Sequence, residues 1–309
     1  MKNQILMEGQ MNQEEEIKRG MELAAGKPDI MPDQAGEQIS PVFEDIQQTL
    51  RVPLVNLIFR TLANYPDYLE NAWKALRPAF RSRVFEKEAD YLHSMALLEP
   101  VPASSGVNWE NIGEMDRLRA FNDTIFYVLP KLLLVTTAFY ETSFNSRSAE
   151  EGKAAKEHDS SEIPLGIAEG TGKVKMVDPE KASERVRDLF SSIKDTHGHP
   201  LVSSYYRGIA NWPDFLEEAW SRIKPLVGSA AYEERKQELI EQALAGIKNL
   251  PVLEIEKPGV EPGQREEIKL ILTAFQHKFI PEMLLDVALI KAMLDGVQAV
   301  GSSRFSVAE

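Results

Sequence analysis

The chain states one stretch twice. PLVNLIFRTLANYPDYLENAW, from Pro53 to Trp73, returns as PLVSSYYRGIANWPDFLEEAW from Pro200 to Trp220, 147 residues on and without a gap. Of the 21 positions 12 are identical, among them Arg60 with Arg207, Asn64 with Asn211, Pro66 with Pro213 and Trp73 with Trp220. Chance would give about one or two, so the stretch marks an internal duplication. The same offset relates Phe43 and Ile46 to Phe190 and Ile193, and Leu92, Ala96 and Leu97 to Leu239, Ala243 and Leu244. Late in the chain it grows to 151, which carries Pro130 onto Pro281.

The repeated unit reads as a helical hairpin. Pro53 and Pro200 are expected at the first position of a helix, where proline loses no needed donor. Leu54, Leu57, Ile58 and Leu62 follow with helical spacing. Asn64-Tyr65-Pro66-Asp67 and Asn211-Trp212-Pro213-Asp214 then read as a turn and a new helix start, with an acid suited to the dipole. No sustained alternating strand pattern occurs. The expectation is all-α: two pseudo-symmetric helical repeats packed around a shared central pocket. Residues 1–38 read as a disordered acidic leader, with a short helix through the Glu run, and 39–145 as the first repeat. Residues 146–176 read as linker, 177–302 as the second repeat and 303–309 as a tail. Within the first repeat, separate helices are expected over about 109–124 and 125–144, and within the second a helix start at Asp178-Pro179-Glu180.

Composition narrows the function. A net charge of −13 speaks against nucleic acid, whose phosphates need a basic surface. The absence of cysteine removes disulfides, thiol catalysis and cysteine-based metal sites together. No secretory signal is legible, and the most apolar stretch, Tyr127 to Tyr140, is too short to span a bilayer and contains Lys131. A cytoplasmic protein with no membrane partner is expected. GTGK at 170–173 is no phosphate loop: Ile167 stands where its first glycine should be, and Val174 where a hydroxyl is required. No glycine-rich cofactor fingerprint is present.

The two copies differ where chemistry could reside. Asn56, Leu57 and Ile58 in the first correspond to Ser203, Ser204 and Tyr205 in the second, so one arm is mostly apolar and the other polar. Ser203 and Ser204 could hold a small carboxylate at a helix start, or simply cap that helix. His197 and His199 are the only close histidine pair. They lack a reinforcing ligand at helical spacing and read as a turn rather than a metal site. Arg60 and Arg207, present in both copies, read as braces.

These runs resemble the group I D,L-2-haloacid dehalogenases, the DehI family. PVFEDIQQTLRVP, LANYPDYLENAW, LPKLLLVTTA and VDPEKASERVRDLF through IANWPDFLEEAW carry the resemblance, over about residues 40–300. It implies an all-helical duplicated fold, commonly a homodimer, with a site between the repeats and no metal or cofactor. The implied chemistry is hydrolysis of carbon–halogen bonds in small 2-halocarboxylic acids. A carboxylate activates the water that attacks the halogen-bearing carbon. In the resemblance the family's catalytic aspartate falls on Tyr205, the asparagine that helps hold the water falls on Leu129, and first-copy pocket positions fall on Leu54 and Leu57. With Tyr205 and Leu129 there, the family chemistry is expected to be lost or altered. If it persists, its base comes from Asp195, His197 or His199. The alternative is a small-carboxylate-binding or helical interaction protein without catalysis.

Overall fold

The structure is a computed structural model that describes residues 2–99, 101, 113–145, 161–251 and 260–308, with side chains from residue 13 on. Twelve α-helices are described: α1 (Lys2–Gly26), α2 (Ile39–Leu50), α3 (Leu57–Leu62), α4 (Pro66–Phe80), α5 (Arg83–Met95), α6 (Met115–Phe144), α7 (Glu184–His197), α8 (Ser204–Ile209), α9 (Pro213–Ile223), α10 (Ala230–Gly246), α11 (Pro262–Ala274) and α12 (Ile280–Asp295). A π-helical segment, Phe275–Phe279, joins α11 to α12. Among the described residues there is no strand, only an isolated bridge between Ser82 and Glu162. The helices α6 and α12 pack against each other; α6 is buried without a break from Phe121 to Phe139, and α12 from Ile280 to Leu294. The first half of the expected linker, 146–160, lies outside the described residues.

The hairpin of each copy uses the same bonds 147 residues apart. Asn64 donates to the carbonyls of Thr61 and Pro28, and Asn211 to those of Gly208 and Lys175. The indole of Trp73 donates to Asp45, and that of Trp220 to Ser192. Gln38 ties down Asp67 and Glu70, while Arg185 ties down Asp214 and Glu217. Both tryptophans are buried at 3% exposure, which makes them anchors of their hairpins.

Pro53 and Pro200 do not begin helices. The chain leaves α2 through Arg51 (φ 66°) and α7 through Gly198 (φ 67°), the left-handed stop that ends many helices. It then runs on until Asn56 and Ser203, in extended conformation, become the N-caps of α3 and α8. The second repeat's first helix likewise starts late. Ser183 caps α7 by accepting from the amide of Val186, and Asp178-Pro179-Glu180 lies in a turn before it.

The two helices expected over 109–144 are one, α6, which runs through Pro130. A proline there leaves the carbonyl four residues earlier without its amide. That carbonyl belongs to Phe126, and the buried Nε2 of His93 donates to it at 2.8 Å. In the second copy Ile240 stands at the position of His93, and the helix carries the π segment just before Pro281. By length and composition α6 could cross a membrane, but its apolar window is buried inside the molecule.

Residues 1–38 depart most from expectation. Lys2–Gly26 is a helix, and it lies along α11. Its Glu, Gln, Met, Leu and Ala content favours helix, and Gly20 and Ala24 are buried on one face. Lys27 pairs with Glu267 at 2.8 Å and Glu16 with Lys269 at 3.0 Å. The expected linker is structured in its second half. The amides of Ile163, Gly166 and Ala168 donate to the carbonyls of Arg81, Gln48 and Arg51. The tail also docks, with Phe305 buried and the Ser306 hydroxyl on Asp90. A Cβ at Gly20 would stand 1.9 Å from the carbonyl oxygen of Leu270, a backbone atom that cannot swing aside. Gly20→Ala is therefore expected to cost about 1–3 kcal/mol, read as a lower urea midpoint, with earlier proteolysis within α1.

Candidate active site

A cavity of about 90 Å³ lies where α3, α8, α6 and the α11–α12 helix converge. Ala24 from α1 also contributes to its wall. The matched triplets Asn56-Leu57-Ile58 and Ser203-Ser204-Tyr205 both line it, as do Leu129 and His199. The remaining lining is apolar, with Phe275 and Phe279 from the π segment and Met283 from α12. An apolar cavity of about 150 Å³ accommodates benzene, so this one suits a solute of a few heavy atoms.

The predicted site residues mostly meet here. Leu54 does not: it packs against the core and is absent from the cavity wall. Asp195 is exposed at the end of α7 and also stands outside the wall. His197 lies behind the wall, buried at 2% exposure. Ser203 caps α8, its oxygen accepting from the amide of Tyr206 at 3.3 Å. The oxygen of Ser204 accepts from the Arg60 guanidinium at 2.9 Å, which leaves its proton free to donate. Arg60 braces as expected, through Asp29 at 2.6 Å and the Val55 carbonyl at 3.0 Å, and also reaches across to the other copy. Asn56 Oδ1 is buried without a hydrogen-bond partner.

Tyr205 is held as a phenol. Its hydroxyl donates to Asn122 Oδ1 at 2.7 Å, and its ring stacks on Phe121. Burial, then the nearby Asp286 charge, pushes its pKa well above the ordinary tyrosine value. Gly208, one helical turn on, makes the stack possible: a Cβ there would lie 2.4 Å from the Phe121 ring.

Behind His199 lies a buried polar cluster that sequence reasoning missed. Glu282 Oε2 accepts from His199 Nε2 at 2.9 Å and lies 3.2 Å from His197 Nδ1. Glu282 Oε1 meets Lys278 at 2.6 Å and Lys236 at 3.2 Å. Asp286 Oδ2 accepts from Tyr206 at 2.8 Å and sits 3.0 Å from His197 Nε2, an ion pair by distance that lacks hydrogen-bond alignment. Asp286 Oδ1 accepts from Tyr232 at 2.9 Å. The signal was present: Glu282 and Asp286 are acids in the otherwise apolar run IPEMLLDVALI.

The electrostatics follow from these contacts. Burial alone would raise the Glu282 pKa, but the hydrogen bonds from His197 and His199 and the charge of Lys278 hold it well below the usual range. Burial opposes charge on His197, yet Asp286 and Glu282 push it up to about 9. Burial lowers the pKa of His199; Glu282 opposes this, and the charges of His197 and Lys278 add to it. His197, His199 and Glu282 bring their ligand atoms within 4.8 Å of one another, as a metal site would. Two ammonium groups already on Glu282, and a charged His197, oppose a cation there.

The raised pKa of His197 makes stability depend on pH. The protonated ring contributes fully below its unfolded value of 6.5 and loses that contribution as pH rises through about 9. The urea midpoint is therefore expected to fall between pH 6.5 and 9, and this fall should be absent in His197→Leu.

Three kinds of comparison converge on one group of proteins. The family model for halocarboxylic acid dehydrogenase DehI matches residues 53–206. A configuration-inverting 2-haloacid dehalogenase of Alcaligenes xylosoxydans xylosoxydans is 30% identical over 294 residues, covering 89% of this chain and 96% of its own. One from Pseudomonas sp. (strain 113) is 31% identical over 215 residues, covering 67% and 69%. A solved D-2-haloacid dehalogenase, in complex with L-LA, shares the fold with a TM-score of 0.71 at 22% identity, over 86% of this chain and 96% of that one. By the identity and coverage of these relatives, the chain belongs to the DehI family.

Proposed function

We propose that this chain is a hydrolase that replaces the halogen of a small 2-halocarboxylic acid with hydroxyl, inside the cavity between its two copies. Membership of the DehI family supports the substrate class. The lining supports the site: matched residues of α3 and α8 form its two sides, as a pseudo-twofold relation of the repeats would produce. One wall offers the Ser204 hydroxyl, backed by Arg60, to the carboxylate. The other is apolar and suits the halogen-bearing end.

The observation that carries the mechanism concerns His199. Among the described lining residues only Tyr205 and His199 carry side chains that can gain or lose a proton in the ordinary range. The phenol of Tyr205, aligned by resemblance with the family's aspartate, is already donating to Asn122 and strongly holds its proton. Leu129, aligned with the family's asparagine, offers no hydrogen bond to water. His199 is kept neutral, and its Nε2–H is committed to Glu282, which leaves Nδ1 as the acceptor. In the proposed step Nδ1 takes a proton from water as the water oxygen attacks C2. The carbon–halogen bond breaks, halide leaves with the electron pair, and C2 inverts. The buried, unpartnered Asn56 Oδ1 holds the other hydrogen of the water.

The test is halide release from each enantiomer of 2-chloropropionate. His199→Ala is expected to lower kcat roughly 10²–10⁴-fold, the range of general-base assistance. The variant should still be stabilised by substrate, by about 2.7 kcal/mol at one hundred times its Kd. Adding Tyr205→Asp and Leu129→Asn to His199→Ala should restore release, because the family's base and water-holder would then be present. Unchanged release from His199→Ala places the base elsewhere. A wild type with neither release nor a ligand-induced rise in Tm defeats the reading.

A further inference from the structure

The duplication supplies an internal control for the buried cluster. At the offset of 147, His197 corresponds to Leu50, His199 to Val52, Tyr206 to Phe59 and Tyr232 to Phe85; at 151, Asp286 corresponds to Val135. All five first-copy residues are buried and apolar. The same unit therefore packs this part of its core with leucine, valine and phenylalanine. Burying carboxylates and an imidazolium is costly, and replacing such groups with well-packed apolar ones is often neutral or stabilising. The polar set of the second copy is not what its fold requires.

Resting on the reading of His199 as base, we infer that His197, Asp286, Tyr206 and Tyr232 form a positioning layer. This layer keeps the Glu282–His199 pair oriented and ready to accept a proton. The geometry runs from the inside outwards. The two tyrosines fix Asp286 at both oxygens. Asp286 and Glu282 lie on the two nitrogens of His197, so its ring is clamped and charged. That ring stacks on His199, with centroids 5.0 Å apart and planes 21° apart. A positive ring against the base disfavours its premature protonation, while Glu282 fixes its tautomer. The groups facing this pair from every side are few. Lys278, Glu282 and Asp286 come from the π segment and α12, and Lys236, paired with Glu233, and Tyr232 come from α10. Tyr205 and Tyr206 come from α8, and the Trp220 ring of α9 packs on His197.

Two variants test this. The first transfers the first copy's residues into the second: His197→Leu, Tyr206→Phe, Tyr232→Phe and Asp286→Val together. Its Tm is expected to be no lower than that of wild type, while kcat falls at least about tenfold with little change in KM. A variant that melts lower or fails to fold overturns the inference, because the cluster would then be holding the structure. The second is His197→Gln, which removes the charge but keeps hydrogen-bonding capacity. The acid limb of its kcat profile should move up by about one pH unit, and an unmoved limb overturns the role assigned to His197. The ¹⁵N resonances of the His199 ring separate this from the hydrolase reading. Wild type should show a neutral Nε2–H ring at pH 7, with a titration that rises in His197→Gln. If those signals behave so but no halide is released, only the substrate reading fails. A His199 ring already charged at pH 7 in wild type overturns the positioning layer itself.

Discussion

A carboxylate removed from water stays ionised only if its surroundings supply what water did. Glu282, at 1% exposure, is such a case, with four nitrogen partners around it. Its supply comes from four elements: the loop after α7 through His199, α7 itself through His197, α10 through Lys236 and the π segment through Lys278. With Glu282 in place, loss of His199, Lys236 or Lys278 would leave its buried charge short of a partner, which is costly. The arrangement therefore fixes where α10 and the π segment stand relative to α7. Those same elements set the position of His199 in the cavity wall.

The first copy meets the corresponding demand with the opposite sign. Lys131, at the position of Glu282, is buried at 0% exposure and pairs with Glu86 at 2.8 Å. Tyr127 donates to the other Glu86 oxygen at 2.7 Å. That pair is self-contained and touches no cavity wall, whereas the Glu282 cluster reaches one through His199. The two repeated stretches thus share their hairpin bonds and differ in the charged groups buried beside them. One centre is closed and the other faces a solute-sized space.

Much of this was legible in the sequence because the duplication doubles the information. Asn64 and Asn211, or Trp73 and Trp220, could be read as structural since each occurs twice. The triplets at Asn56 and Ser203 could be read as site residues since they differ. Misreadings arose where a local rule met tertiary context. The break expected between 124 and 125 does not occur: α6 runs on through it and through Pro130, where His93 satisfies the carbonyl of Phe126 that the proline leaves without an amide. The polar composition of residues 13–26 signals disorder, but the small residues Gly20 and Ala24 let the helix seat on α11. Leu54 has the spacing of a helical face, yet it precedes the helix and points elsewhere. Glu282 and Asp286 share one face of α12, but the sequence around them names no partner for either acid. Their partners His197, His199 and Tyr206 lie 80 to 85 residues away and are visible only in three dimensions.

The wall that Ala24 gives the cavity sets an order in time. Its companions Phe275, Phe279 and Met283 come from the far end of the chain, and α1 meets that end across separations such as the 253 residues between Glu16 and Lys269. At ribosomal speeds the later segment follows the earlier by tens of seconds. Within that interval the first hairpin, Pro53–Trp73, emerges whole before the second, Pro200–Trp220, begins. The apolar residues around it, Leu50, Val52, Phe59, Phe85 and Val135, are available to collapse early, carrying the Lys131–Glu86 pair in with them. The copy rich in ionisable groups emerges second, onto a surface already formed. The order of the chain thus puts early apolar collapse ahead of the groups that bring charge up to the cavity wall.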